Sequence, residues 1–257
     1  MTPGEVRIIG LDGIPEMQAG GDVAAEIAAS LDRGGMALEP GDVLVVTHKI
    51  VSKAEGQLIR LEGVEPSTLA RTWAAQYGKD PRQVEITLRE SRRIVRMDRG
   101  VIIAETHHGF ICANAGVDAS NVDSGIVCLL PKDPDGSAAA IRASLAARYE
   151  LDEAGAPGVI ITDSWGRPWR NGIVNFAIGV AGLSALIDYR GHHDAAGYEL
   201  HVTVLAVADE LAAASELVMH KLAARPVALI RGYQPAIDMG HGSGQDLLID
   251  PARDMFR

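Results

Sequence analysis

The chain of 257 residues is 47% hydrophobic and carries a formal net charge of −10. That suits a compact globule, as one large domain or two smaller ones sharing a core, and argues against a general nucleic-acid binder, whose phosphate contacts need a basic face. No run approaches the about 20 apolar residues of a membrane span and no basic-then-apolar leader opens the chain, so it is expected in the cytoplasm, with Cys112 and Cys128 as buried thiols.

Glu5 to Leu11 reads as a strand, turned by Asp12-Gly13-Ile14-Pro15 before Gly20-Gly21 leads into a helix capped by Asp22. Val23, Ile27 and Leu31 recur at a spacing of four and make its buried stripe. Val43 to Val46 form an apolar strand that opens into Thr47-His48-Lys49-Ile50-Val51-Ser52-Lys53-Ala54-Glu55-Gly56. Lys49 and Lys53, four apart, share one face, where either can meet a phosphate, although solvation is the commoner fate of a lysine. Ser67 to Tyr77 and Pro81 to Ser91 read as helices, the second capped by Asp80, with Val84 and Leu88 on its buried side. The arginine-rich run Arg89 to Arg99 reads as a solvated face.

Val101 to Thr106 and Phe110 to Ala113 flank His107-His108-Gly109 as a β-hairpin. Adjacent residues on an extended chain point to opposite faces, so the two histidines suit a turn better than a metal site. Asn114-Ala115-Gly116-Val117-Asp118-Ala119-Ser120-Asn121 follows, small residues around a hard oxygen donor and an amide three positions later. A turn with an Asx cap explains that pattern equally well. Ile126 to Leu130 is a further strand, and Ile141, Leu145 and Tyr149 mark the buried side of a helix after Pro131-Lys132-Asp133-Pro134-Asp135-Gly136-Ser137.

The densest concentration of functional side chains is Val159-Ile160-Ile161-Thr162-Asp163-Ser164-Trp165-Gly166-Arg167-Pro168-Trp169-Arg170-Asn171-Gly172, where a buried strand is expected to open at Asp163 and Ser164 into a ligand loop. A helix cap at Asp163 with the Trp pair packed over it is the alternative. Phe176 to Ile187, apolar nearly all round, reads as a buried helix. Asp188 to Asp194 reads as a polar loop, Leu200 to Val207 as a strand, and Asp209 or Glu210 as the start of a helix carrying Val218, Lys221 and Leu222. Pro226 to Ile230 closes the sheet pattern, and residues 233–257 read as a mobile tail whose glycines do not follow a strand.

Six motifs, in order and spacing, resemble the coenzyme F-420:L-glutamate ligases: Asp12-Gly13-Ile14-Pro15-Glu16, Val51-Ser52-Lys53-Ala54-Glu55-Gly56, Asn114 to Asn121, Leu130 to Ser137, Ile161-Thr162-Asp163-Ser164-Trp165-Gly166-Arg167 and Val207-Ala208-Asp209-Glu210. The resemblance runs from about Ile8 to Gly232. It implies an α+β fold with a mixed sheet, one ligase domain over residues 1–257 that is whole or in two subdomains, an intertwined homodimer and no fused flavin-binding domain. It implies attachment of L-glutamate through γ-linkages to the lactyl carboxylate of the deazaflavin precursor F-420-0, with GTP converted to GDP and phosphate through an acyl phosphate. A ligase of the same fold using another amino acid or acidic acceptor, and a metal-dependent phosphohydrolase, are the competing readings. The family's nucleotide-binding positions fall on Ile14, Pro15, Glu16, Met17, His48, Lys53 and Asn121, and its metal positions on Asp118, Asp163 and Ser164. Magnesium or manganese, with potassium, is the implied metal complement. Asp163, Lys53 and Arg167 are the catalytic candidates, Arg167 and Arg170 being suited to grip anionic groups of the acceptor. Two stretches depart from the family pattern: His48 stands where a small hydroxyl residue is usual, and Met219-His220-Lys221-Leu222-Ala223 where the family is often glycine-rich.

Overall fold

The computed structural model describes residues 4–237 and 239–255. The chain begins with β1 (Arg7–Gly10), α1 (Val23–Arg33), β2 (Val43–Thr47), α2 (His48–Ala54) and β3 (Leu58–Arg60). Helices α3 (Thr68–Tyr77) and α4 (Pro81–Arg89) then precede β4 (Ser91–Asp98), β5 (Val101–Thr106), β6 (Ile111–Ala113) and β7 (Ile126–Cys128). The remainder is α5 (Pro134–Arg148), β8 (Gly158–Arg167), β9 (Arg170–Ala181), β10 (Ile187–Asp188), β11 (Val204–Leu205), α6 (Val207–Met219) and β12 (Val227–Arg231).

The central sheet has the strand order β1-β12-β2-β8-β9 and is mixed, because β2 and β8 run parallel while the other neighbouring pairs are antiparallel. Alternation along the strands divides the core. Leu44, Val46, Val159, Ile161 and Leu229 pack with Ile27 and Leu31 of α1 and Ile141 and Leu145 of α5. Val43, Val45, Ile160 and Ile230 pack with Val207, Leu211 and Ala212 of α6. Helices thus cover both faces, which is why β2 and β8 are apolar without interruption. A separate three-stranded sheet, β4-β5-β6, packs beside α3 and α4 around Ala70, Val84, Ile102 and Ala104. Asp22, Ser67, Asp80 and Asp133 each accept a backbone N–H at the start of their helices.

Four expectations need correction. The segment after Asp163 is not a loop: β8 continues to Arg167 and turns directly into β9, with Ser164 opposite Asn175 and Trp165 opposite Val174. Phe176 to Ile187 is mostly strand rather than buried helix, because a continuous apolar run suits either state and the neighbours decide. Gly179 lies where the amino end of α5 presses on β9, and a Cβ there would collide with the Pro134 carbonyl. Finally, α6 starts at Val207 and ends at Met219, so Lys221 and Leu222 lie beyond it, and of the strand expected from Leu200 only Val204–Leu205 forms.

The Leu130 to Ser137 motif is largely architectural. Asp135 Oδ1 accepts Val180 N and Gly244 N, both at 2.7 Å, and so ties β9 to the carboxy-terminal segment. That segment, read from sequence as a mobile tail, carries short 3-10 turns at Gly244–Leu247 and Pro251–Arg253 and packs Leu248 against the core. Residues 238, 256 and 257 of it lie outside the described residues. Among the described residues, no helix is long and apolar enough to cross a membrane.

Candidate functional site

The parallel strands β2 and β8 stay paired as far as Thr47 and Thr162 and then diverge, β2 into α2 and β8 onward through Asp163. A divergence at the carboxyl ends of parallel strands opens a crevice, and here it holds a cleft of about 520 Å³. The cleft is lined by Ile14 to Glu16, by one face of α2, by Asp118 and Asn121, by Asp163, Ser164 and Asn175, and by Glu216 to Pro226 in part. Four basic residues, Lys49, Lys53, Lys221 and Arg225, stand among four acidic ones, Glu16, Asp118, Asp163 and Glu216. The basic groups give an otherwise acidic chain local positive charge for an anion, balanced by the carboxylates beside them.

On α2 the spacing of four places both lysines toward the cleft. Lys53 is almost fully buried; its ammonium pairs with Glu16 and donates to the Asn121 carbonyl at 2.6 Å. Asn121 adopts a left-handed φ of 56°, which an asparagine tolerates. Lys49 pairs with Asp118 at 2.6 Å and donates to the Ser120 carbonyl at 3.0 Å. Asp118 in turn accepts Ser120 N at 2.7 Å and the Ser120 hydroxyl at 2.8 Å. Burial alone would raise the Asp118 carboxyl, but the Lys49 ammonium and the Ser120 donors outweigh it and hold the group below its ordinary value. The Asp12 to Glu16 loop is fixed from behind: Arg225 pairs with Asp12 at 2.7 Å and Arg33 donates to the Gly13 carbonyl at 2.8 Å.

Across the cleft, Asp163 Oδ1 accepts its neighbour's Ser164 N at 2.7 Å. His48 is buried, its Nδ1 3.2 Å from Ser52 Oγ and its Nε2 3.3 Å from Asp163 Oδ1. That separation allows an ion pair with Asp163 if the ring is protonated, and among the described residues Nε2 has no hydrogen-bond partner. A buried ring nitrogen left in this way costs about 1–3 kcal/mol unless a ligand engages it. Ser164 donates its hydroxyl to Asn175 Oδ1 at 2.6 Å, and Asn175 Nδ2 donates to Glu216 Oε2 at 3.3 Å, which leaves the serine lone pairs available as acceptors. Two thiols lie close behind this chemistry and are silenced by burial, Cys112, facing Asp163, being pushed up to about 12 and Cys128 to about 11.

The structure therefore brings together Ile14, Pro15, Glu16, His48, Lys53, Asn121, Asp118, Asp163 and Ser164. Met17 is buried in the core behind the loop. Arg167 stands at the far end of the β8–β9 hairpin and donates to the Gly172 carbonyl at 3.4 Å, and Arg170 is exposed beside it; neither lines the cleft. Asn175, Glu216 and Arg225 line the cleft without having been singled out by the sequence. Asn175 was detectable as a lone amide in an apolar run, since a buried polar group needs a partner. The paired histidines His107 and His108 each bond to backbone carbonyls instead of to one another's neighbours.

Among the described residues, no three His, Cys, Asp or Glu side chains converge on one point. A fully protein-built metal cage is thus absent there. Asp118 and Asp163, with the Ser164 hydroxyl, fit the sparser habit of magnesium, which is held by one or two carboxylates and completed by phosphate and water. The orphaned His48 nitrogen beside Asp163 marks the same side of the cleft as built for a ligand.

Residues 13–232 match the family model described as F-420-0:gamma-glutamyl ligase. The chain is 46% identical over 255 residues to the coenzyme F-420:L-glutamate ligase of Methanothermobacter thermautotrophicus, covering 98% of this chain and 99% of the relative. It is 45% identical over 245 residues to the enzyme of the same name from Methanopyrus kandleri, with 94% of each chain covered. The relative of that name from Methanocaldococcus jannaschii is 41% identical over 255 residues, 98% of this chain and 97% of its own.

Proposed function

The chain belongs to the F-420-0:gamma-glutamyl ligase family and is a ligase, and we propose that it uses GTP to attach L-glutamate to the lactyl carboxylate of the deazaflavin precursor F-420-0, further glutamates following through γ-linkages. The observation that carries this reading is the meeting in one cleft of Lys49 and Lys53 from α2 with Asp118 and Asp163 from two separate segments. Amide formation from a carboxylate needs an activated acyl group. A lactyl carboxylate oxygen attacks the γ-phosphorus, the bond to the β-phosphate oxygen breaks and GDP leaves. The glutamate amine then attacks the acyl carbon, loses a proton, and expels phosphate that retains the former carboxylate oxygen.

In this scheme Lys53, anchored by Glu16 and Asn121, offers a fixed positive charge to the phosphates, while Lys49 exchanges its contact with Asp118 for one with phosphate oxygen. Ile14 to Glu16 and Asn121 border the nucleotide. His48 Nε2 donates or accepts toward the ligand beside Asp163. Asp118, Asp163 and Ser164 would hold magnesium or manganese, which when bound neutralises charge on the phosphate oxygens. Arg167, distant in the single chain, belongs to the reaction only if a second protomer brings a cleft to it. A homodimer working in the cytoplasm is part of the proposal, supported by Trp169 and Ile173, which stand 83% and 60% exposed on the β8–β9 hairpin, and by two unpaired buried thiols.

Mass spectrometry of F-420-0 incubated with the protein, glutamate, GTP and magnesium tests the proposal. Addition of whole glutamyl units that requires GTP is expected. Phosphate release without added mass, or mass added from another amino acid, would overturn it.

A further inference from the structure

The chain has a second cavity, of about 320 Å³, that the reaction scheme does not use. It lies at the edge of the central sheet, between the β5–β6 hairpin, the outer strand β9, the first turn of α6 and the carboxy-terminal segment. Its volume is within the range of small-molecule sites. We propose that this cavity seats the planar deazaflavin ring of the acceptor, by stacking on the Trp165–Phe176 wall while the lactyl end reaches Asp163 in the neighbouring cleft; the assignment rests on the ligase reading above.

Three observations carry it. First, the wall is aromatic: the Trp165 and Phe176 rings stack on one another at 4.8 Å and 12°, both only partly covered, and Phe110 approaches Trp165 at 6.3 Å, so a third planar ring can extend the stack. Parallel aromatic faces at a cavity wall favour a third planar ring. Second, strand register joins this wall to the cleft. Residues two apart on a strand share a face, so Trp165 follows Asp163 on the same side about 7 Å further along β8, and Phe176 is the direct cross-strand partner of Asp163. A ligand with an aromatic head and a carboxylate tail can therefore occupy both cavities along one strand. Third, the cavity carries polar groups suited to the edge of a heterocycle. Asp209, from the Val207 to Glu210 motif, uses Oδ1 to accept Ala177 N, the edge N–H of β9, at 2.9 Å, and among the described residues its Oδ2 accepts no hydrogen bond. Burial raises the Asp209 carboxyl above its ordinary value, and its Oδ2 can accept from an N–H or O–H on the ring edge. Leu248 and Ile249 of the carboxy-terminal segment close the opposite side, which gives this segment a reason to dock on β9.

The test uses full-length protein and two variants. Trp165→Leu removes the stacking face, and Ile249→Trp fills the mouth from a position that is 54% exposed and therefore tolerant of change. Each is expected to raise KM for F-420-0 by about tenfold or more while leaving KM for GTP within about twofold, and Trp165→Phe should restore the wild-type value. In parallel, the deazaflavin fragment lacking its lactyl phosphate tail should quench protein fluorescence on binding to wild type without nucleotide, and should do so at least about tenfold more weakly with Ile249→Trp, which retains Trp165. Unchanged acceptor KM in both variants, or equal rises for acceptor and GTP, would overturn the ring site. Absence of any glutamylated product from wild type would instead overturn the ligase reading on which it rests.

Discussion

Replacing Lys53 with methionine separates the site's chemistry from its architecture. The methionine matches the length of the aliphatic stem, so the packing of α2 against Cys128 and its neighbours is preserved, but the ammonium is lost. Its partners are unequal: the Glu16 side chain is 68% exposed and returns to water, whereas the Asn121 carbonyl, bonded at 2.6 Å, loses a charged donor. The ion pair, open to water on the Glu16 side, contributes little, and the carbonyl bond about 1.5–3 kcal/mol. At about 2–4 °C per kcal/mol for a chain of this size, the unfolding midpoint should fall by about 3–12 °C. Catalysis should suffer more, because a fixed charge in a partly closed cleft acts on the transition state; removing one such group typically costs about 10²–10³ in rate, or about 2.7–4 kcal/mol. Thermal unfolding and steady-state kinetics with varied GTP, on the same preparation, measure both. A variant with kcat/KM for GTP within about threefold of wild type would refute the assignment of Lys53 to the phosphates, as would a loss of activity fully explained by unfolding.

Further outcomes follow from the same geometry. Asp163→Asn should reduce turnover by at least about 10² while the unfolding midpoint stays near wild type, as circular dichroism and product assays would show, because the amide keeps the bond to Ser164 N but not the charge. Gly179→Ala should destabilise by about 1–3 kcal/mol in chemical denaturation, since its Cβ would meet the Pro134 carbonyl. The Asp118 carboxyl, held below its ordinary value, contributes stability that is present above its unfolded pKa of about 3.9 and lost as pH falls through the folded value. The stability gap between wild type and Asp118→Asn should accordingly be flat from about pH 5 to 8 and shrink below about pH 4. Cys112 and Cys128, raised to about 12 and about 11, remain neutral thiols at about pH 8 and should react with a disulfide reagent only after denaturation.

The cores of β2 and β8 were legible because Val43 to Val46 and Val159 to Ile161 are uninterrupted β-branched or aliphatic runs ending in polar residues, the signature of strands covered on both faces. Lys49 and Lys53 announced a shared face by their spacing alone. What followed Asp163 was not legible. Gly166, Pro168 and Gly172 suggest a loop, yet cross-strand pairing with residues 170–181 holds the segment as strand, and that pairing is a long hairpin no local pattern reveals. The same ambiguity made β9 look helical: its Gly179 is there for the Pro134 carbonyl, and Gly182, just beyond the strand, for the Arg142 side chain that lies over it. Asn175 and Glu216 entered the site through that misread strand and through α6, so the Ser164–Asn175–Glu216 chain became visible only once the two elements were packed. The Leu130 to Ser137 motif shows the converse: it marks the family, but its Asp135 serves the architecture by joining β9 to the carboxy-terminal segment.

The central claim is that one cleft activates a carboxylate by phosphorylation and then forms an amide. It is tested most directly with F-420-0 labelled with oxygen-18 in its lactyl carboxylate, incubated with the protein, GTP, magnesium and glutamate in ordinary water. One labelled oxygen is predicted in the phosphate released with the first glutamate joined to each F-420-0, and none in the phosphate released as further glutamates are added. Unlabelled phosphate, released at the same rate with or without glutamate, would contradict it and identify water as the attacking nucleophile.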